Sequence, residues 1–205
     1  MGNTSATGGV LSPLPPLPFD DAALDAVFQT LTAQITGLDG SLVRPRWQAG
    51  DPTRAGSPKQ PEPSVNWCAI GVTNVKQSDG PWLVYDKPTN TELYWDHEEI
   101  TLLASFYGPN CQSYLRLLRA GLNVPQNTEY LLPYMIRYVG CGPVRTAPEL
   151  VNQQWIKRQD ISLEFRRKVI MTYGIENILI SEIHLIDDTV VDDVIIVPPG
   201  SNVEP

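Results

Sequence analysis

The sequence predicts an α+β fold: a mixed or antiparallel β-sheet with two or three flanking helices, a long C-terminal β-hairpin and extended terminal arms. Three observations predict it. Apolar residues recur at helical spacing in two clear stretches, around Leu24–Ile35 and Cys111–Leu118. From Asp160 to Thr172, in the last third of the chain, mostly apolar odd positions alternate with mostly polar even ones. Nineteen prolines, about twice the usual share, exclude an all-helical bundle and mark irregular segments. The 205 residues suit one domain with arms, and 42% hydrophobic against 19% charged residues suffices for a core.

Residues 1–18 read as a Gly/Ser/Thr lead followed by a stiff Pro-rich piece, together an N-terminal arm. A single domain is read over residues 19–186. It opens with a helix that has Asp20 as N-cap, Phe19 and Leu24 as a hydrophobic staple, and Gly37 as the C′ residue. Ser41 to Gln48 reads as a short strand that Pro45 confines to an edge. Residues 48–64 carry four prolines and form a long irregular loop.

Strand character returns at Val65–Val75. Pro81–Asp86 and Glu92–Trp95 flank a hairpin turn at Lys87-Pro88-Thr89-Asn90, and Ile100–Tyr107 reads as a central strand, apolar on nearly both faces. A second helix follows, with Pro109 at its first position, Cys111, Tyr114, Leu115 and Leu118 inward, and Gly121 closing it. A helical turn is predicted from Asn127 to Leu132, ended by Pro133. From Asp160 to Thr172 the odd positions, including Ile161, Leu163, Phe165 and Arg167, make one face. Tyr173-Gly174 is expected to turn the chain, and Asn177–Ile186 to run back. Residues 187–205 form an acidic C-terminal arm.

Chemistry is sparse. No phosphate-binding loop is present; Gly140-Cys141-Gly142-Pro143 lacks the Lys-Ser/Thr pair and reads as a turn. The run Asp96-His97-Glu98-Glu99 reads as a solvated strand end rather than a metal or acid–base cluster, because alternate strand residues face opposite ways. His184 reads as exposed beside Glu182. Cys68 and Cys111 fall in apolar settings and read as packing residues, and the odd, scattered cysteine count argues against a disulfide framework. No catalytic residue, cofactor or metal ligand is assigned. The start lacks a basic region and an unbroken apolar run, so synthesis is expected inside a cell, and no apolar run approaches the ~18 residues of a membrane span.

Charge is more informative. A net −8 disfavours wrapping nucleic acid. Lys157–Lys168 holds five basic and two acidic residues, whereas residues 187–205 hold five acidic and no basic ones. Opposite charges in separate places suit head-to-tail self-association.

The stretches RPRWQ, NWCAIGVT, EEITLLASFYGPNCQSYLRLLRAGLNVPQN and PELVNQQWIKRQDISLEFRRKVIMTYGIENI cover roughly residues 40–180. They resemble the neck or tail terminator proteins of contractile-tailed bacteriophages. The most specific pieces are Ser105-Phe106-Tyr107-Gly108-Pro109, Trp155 with Arg158 and Asp160, and Arg166-Arg167. The resemblance implies a structural virion subunit without catalysis, made in the host bacterial cytoplasm. It implies a homo-hexameric ring that caps the tail tube and joins it to the neck connector, stopper or adaptor, with DNA passing through its channel unbound. The arms lie outside this likeness.

Three surfaces are the expected contacts: the basic strand residues Arg158, Arg166, Arg167 and Lys168; the tail residues Val190, Val191, Val194, Ile195, Ile196 and Val197, suited to strand addition; and residues 48–64, toward neck or sheath. The alternatives are a head-completion stopper or adaptor and, from another class, a small intracellular cysteine hydrolase using Cys68, Cys111 or Cys141 with a histidine.

Overall fold

The computed structural model describes residues 9–47, 60–151 and 153–175. Helix α1 (Asp21–Thr36) is stopped by Gly37, whose left-handed φ of 73° lets its N–H reach the Ala33 carbonyl at 2.8 Å. The Asp39 carboxylate then accepts from the Ser41 backbone at 2.8 Å and starts a short 3₁₀ turn, Gly40–Leu42. The strand expected at Ser41–Gln48 is accordingly only β1 (Val43–Pro45), parallel to β2 (Trp67–Gln77) at one edge of the sheet. Strands β3 (Trp82–Asp86) and β4 (Thr91–Tyr107) form the expected hairpin.

Helix α2 runs over Cys111–Gly121, two residues later than Pro109 would start it, with Asn110 as N-cap. Asn66 Oδ1 accepts from the Asn110 N–H at 2.8 Å and fixes this start. Gly121 is the last helical residue, and the position takes no side chain because a Cβ there would overlap the Ile35 methyl of α1. The third helical piece begins earlier than expected, as α3 (Pro125–Thr128), and continues as a 3₁₀ turn over Glu129–Tyr134 with Pro133 inside it. Short strands β5 (Ile136–Cys141), β6 (Arg145–Thr146), β7 (Glu149–Val151) and β8 (Gln154–Ile156) lead to β9 (Arg158–Gly174).

The architecture is α+β. Seven strands form a mixed sheet in the order β1-β2-β4-β9-β5, with β3 on β4 and β6 on β9; β7 and β8 form a separate pair. β4 and β9 are both 17 residues long and pair antiparallel from Thr91↔Gly174 to Tyr107↔Arg158 without a slip. At ~3.3 Å per residue this ribbon is roughly 56 Å long. The helices α1 and α2 cover one face of its β2 half. There Phe28 lies 4.9 Å from Phe165, ring centre to ring centre, among buried Leu31, Leu115, Leu118, Ile100, Leu102 and Phe106. A smaller cluster of Trp67, Ala69, Tyr107 and Ile156 closes the opposite face.

Two expectations are corrected here. Asp96–Glu99 is the middle of β4, not a strand end: Glu98 is opposite Arg167 and Glu99 opposite Arg166 on β9, while Asp96 accepts from Gln77 of β2 at 3.0 Å. Tyr173 and Gly174 are the last residues of β9, opposite Glu92 and Thr91, rather than a turn. The return strand Asn177–Ile186 lies outside the described residues. Of the N-terminal arm, residues 9–18 are described. Leu14 donates to the Thr172 carbonyl at 2.7 Å, laying the arm on the free edge of β9.

Asp25 ties α1 to the sheet by accepting from the Val72 N–H at 3.3 Å. Burial nevertheless raises its pKa, outweighing that hydrogen bond. A carboxyl whose folded pKa is raised contributes stability below its unfolded pKa and loses it as pH rises through the folded value. Asp25→Asn keeps the acceptor and is expected to raise the urea midpoint at neutral pH. That advantage should shrink in acid, where Asp25 itself is protonated; an unchanged gap between pH 7 and pH 3 would refute this.

Candidate assembly surfaces

The basic strand resolves into an internal charge network. Arg158 binds Asp160 through two hydrogen bonds, Nε to Oδ1 at 2.8 Å and Nη2 to Oδ2 at 2.9 Å, and reaches Glu149 at 3.5 Å. Its guanidinium also sits 5.5 Å from the Tyr107 ring centre, and Tyr107 stacks on Trp67 at 4.2 Å. The hydrogen bonds to Asp160 raise the Arg158 pKa, so it stays a cation. Arg166 is exposed and pairs with Glu99 at 3.1 Å. The Lys168 ammonium rests 3.3 Å from the centre of the Trp95 ring.

Arg167 does not stand on the surface at all. It is 6% exposed. Its Nε and Nη2 donate to Glu98 Oε2 at 3.0 and 2.7 Å, Nη2 also to Asp20 Oδ1 at 2.8 Å, and Nη1 to the Phe19 carbonyl. Burial works against the cation, but the hydrogen bonds to Asp20 and Glu98 outweigh it and raise the pKa. Asp20 therefore caps α1 by position while its carboxylate serves Arg167; no side-chain cap bond is made. The Phe19 ring lies edge-on to Tyr134 at 5.3 Å. The local +3 read along the chain is thus offset by Glu149, Glu98, Glu99 and Asp20, which come from other segments. The tail residues Val190, Val191, Val194, Ile195, Ile196 and Val197 lie outside the described residues, as do residues 48–59 of the loop.

The structure brings together a different surface. Beyond the helices, β3, β4 and β9 continue as a three-stranded blade. One face carries the rows Leu83–Tyr94–Met171 and Tyr85–Glu92–Tyr173; the other carries Trp82–Trp95–Ile170 and Val84–Leu93–Thr172. Trp82 and Leu83, on opposite faces, are 68% and 61% exposed. A sheet apolar on both faces is normally covered on both. At the other end of the ribbon, the β7–β8 pair holds Leu150 opposite Trp155, exposed at 58% and 71%.

Nothing in the described residues resembles a nucleophile–base pair. Cys68 and Cys111 are buried, and burial pushes both thiols up, away from the reactive thiolate. Cys141 is exposed but sits opposite Leu163, five residues along β9 from Lys168, which faces His97. That is ~16 Å of strand. His184 lies outside the described residues.

Residues 22–189 match the family described as Phage neck terminator protein, most of the chain. The chain belongs to the phage neck terminator family. No curated protein matches it. As a neck terminator it is a structural protein of the virion, located at the tail and neck, where it meets other tail and neck proteins. The likeness read from residues 40–180 is extended by this match to nearly the whole of α1. Among the described residues, no helix is long and apolar enough to cross a membrane. The terminator's blade and its β7–β8 pair were not singled out from sequence. The available signal was Trp82-Leu83-Val84-Tyr85, four large apolar residues in a row where a half-buried strand would alternate.

Proposed function

We propose that this neck terminator assembles as a homo-hexameric ring that caps the tail tube of a contractile-tailed phage and joins it to the head-side connector. The observation that carries the reading is the blade: four rows of three residues on three strands, large and apolar on both faces apart from Glu92 and Thr172, suit a subunit that completes itself on a neighbour. Residues 1–18 and 187–205 act as arms around one domain, 19–186. The tail segment Val190–Val197 adds as a strand to a partner, and residues 48–64 reach toward neck or sheath. Arg158, Arg166 and Lys168 support contacts through the faces they leave exposed, while Arg167 acts from inside the subunit. A net −8 per subunit keeps passing DNA from sticking to the channel. Exposed charges are screened beyond ~8 Å at physiological salt, so the lining acts only on DNA that comes close.

The test is the tail-length distribution in particles assembled without this chain. Overlong, headless tubes are the expected result, because a terminator ring stops tube growth. Tails of normal length that fail to join heads would move the protein to a stopper or adaptor role. Infectious particles of normal form would sink both.

A further inference from the structure

We propose that subunits of the ring join end to end, the blade of one seated on the β7–β8 pair of the next. The inference rests on the ring reading and goes beyond it by naming the two surfaces. The receiving surface is Leu150 and Trp155. The inserting surface is the blade face carrying Leu83, Tyr94 and Met171.

Position comes first. The blade lies at the Thr91/Gly174 end of the β4–β9 ribbon, and β8 enters β9 at its Tyr107/Arg158 end. Two different apolar patches at opposite ends make a heterologous contact. Repeated with a closing rotation, such a contact yields a ring and not an isolated pair.

Charge selects the partner and the face. Arg145 and Lys157 flank the β7–β8 pair and are exposed. Glu92 shares the Leu83 face of the blade through its register with Tyr85 and Tyr173, and exposed Asp79 precedes β3. The other blade face presents the Lys168 ammonium over Trp95. Meeting the cationic end with that face would set like charges together, whereas the Leu83 face sets opposite ones together. A second copy of this chain therefore supplies both the apolar and the charged complement of each end.

The Leu83 face continues, through Tyr94 and Met171, the face that α1 and α2 cover farther along the sheet, and there Leu83 is 61% exposed. Seating Trp155 there would give an aromatic anchor at the centre of the contact, the kind of side chain that dominates interface energy.

The experiment uses phage particles assembled with full-length variants in a Cys141→Ser background, since Cys141 is exposed and Cys68 and Cys111 are buried. A short bis-maleimide is applied to particles carrying Leu83→Cys with Trp155→Cys. A covalent ladder rising to the closed ring is expected from this pair and from Tyr85→Cys with Leu150→Cys. Neither substitution alone should give more than monomer. A dimer from Leu83→Cys alone would mean that blade meets blade and would overturn the proposal. The proposal also falls if neither pair gives a ladder while an unselective amine cross-linker still links the subunits; the ring would then stand. Absence of linkage under the unselective reagent as well would remove the ring, and this pairing with it.

Discussion

Arg167→Met is expected to destabilise the subunit by about 3–5 kcal/mol, the usual cost of stranding one member of a buried ion pair. For a chain of this size that lowers the melting midpoint by roughly 6–20 °C. The cause is specific. Glu98, with only 18% of its side chain exposed, directs one carboxylate oxygen at both Nε and Nη2 of Arg167. The same guanidinium fastens the Phe19 carbonyl and the Asp20 carboxylate, so it ties the start of α1 to the middle of the β4–β9 ribbon. Lysine is a poor substitute because a single ammonium cannot address three acceptors in this planar arrangement. Arg167→Met combined with Glu98→Leu should recover much of the loss, since a matched apolar pair removes the stranded charge. Scanning calorimetry decides it. A single variant melting within about 2 °C of the parent would show that the network is dispensable.

Gly108→Ala is the second large effect expected, a loss of about 2–5 kcal/mol from backbone strain and overpacking together. Gly108 adopts φ +104°, where residues with a Cβ are strained. A Cβ there would lie 2.6 Å from the Val65 carbonyl oxygen and 2.9 Å from the Asn66 Cα, both backbone atoms that cannot swing aside. The position also joins three elements. Its N–H reaches the Lys157 carbonyl at 3.2 Å, its carbonyl receives the Cys111 N–H at 3.3 Å, and neighbouring Asn66 holds the start of α2. The comparison is Gly40→Ala, where an added Cβ meets nothing within 4 Å. That variant should stay within about 0.5 kcal/mol of the parent in urea unfolding. Equal midpoints for the two variants would contradict the strain argument.

What the sequence disclosed and what it hid follow one physical division. Local periodicity identified α1, α2 and the alternating face of β9, because burial of one face writes a pattern into consecutive residues. Arg167 was visible there too: it falls on the odd, inward face beside Phe165 and Val169, although its charge argued for the surface. The continuity of β4 was hidden. Four consecutive charged or titratable residues look like a strand end until the arginines that pair with Glu99 and Glu98 arrive from 67 and 69 positions away. The exposed apolar patches were hidden for the same reason. A run of basic residues says nothing about the carboxylates that neutralise it from other strands. Leu150 and Trp155 become a patch only once β7 and β8 pair. The arm's bond from Leu14 to Thr172 has no local signature at all.

The unbroken β4–β9 pairing has a consequence for how a new chain reaches this state. Its rungs join residues separated by 51 positions at the Tyr107↔Arg158 end and by 83 at the Thr91↔Gly174 end. Such distant pairings are slow to form, because loop closure precedes any gain from contact. The β2–β4 pair, the β3–β4 hairpin and both long helices are made first, yet the strand that closes the core is the last described element synthesised. Until it docks, the 17-residue β4 leaves its backbone hydrogen-bonding edge open to other chains, beside the apolar run Ile100–Tyr107. In a cell making many copies at once, the later β9 arrives, the longer that edge stays open to pairing with a neighbouring chain.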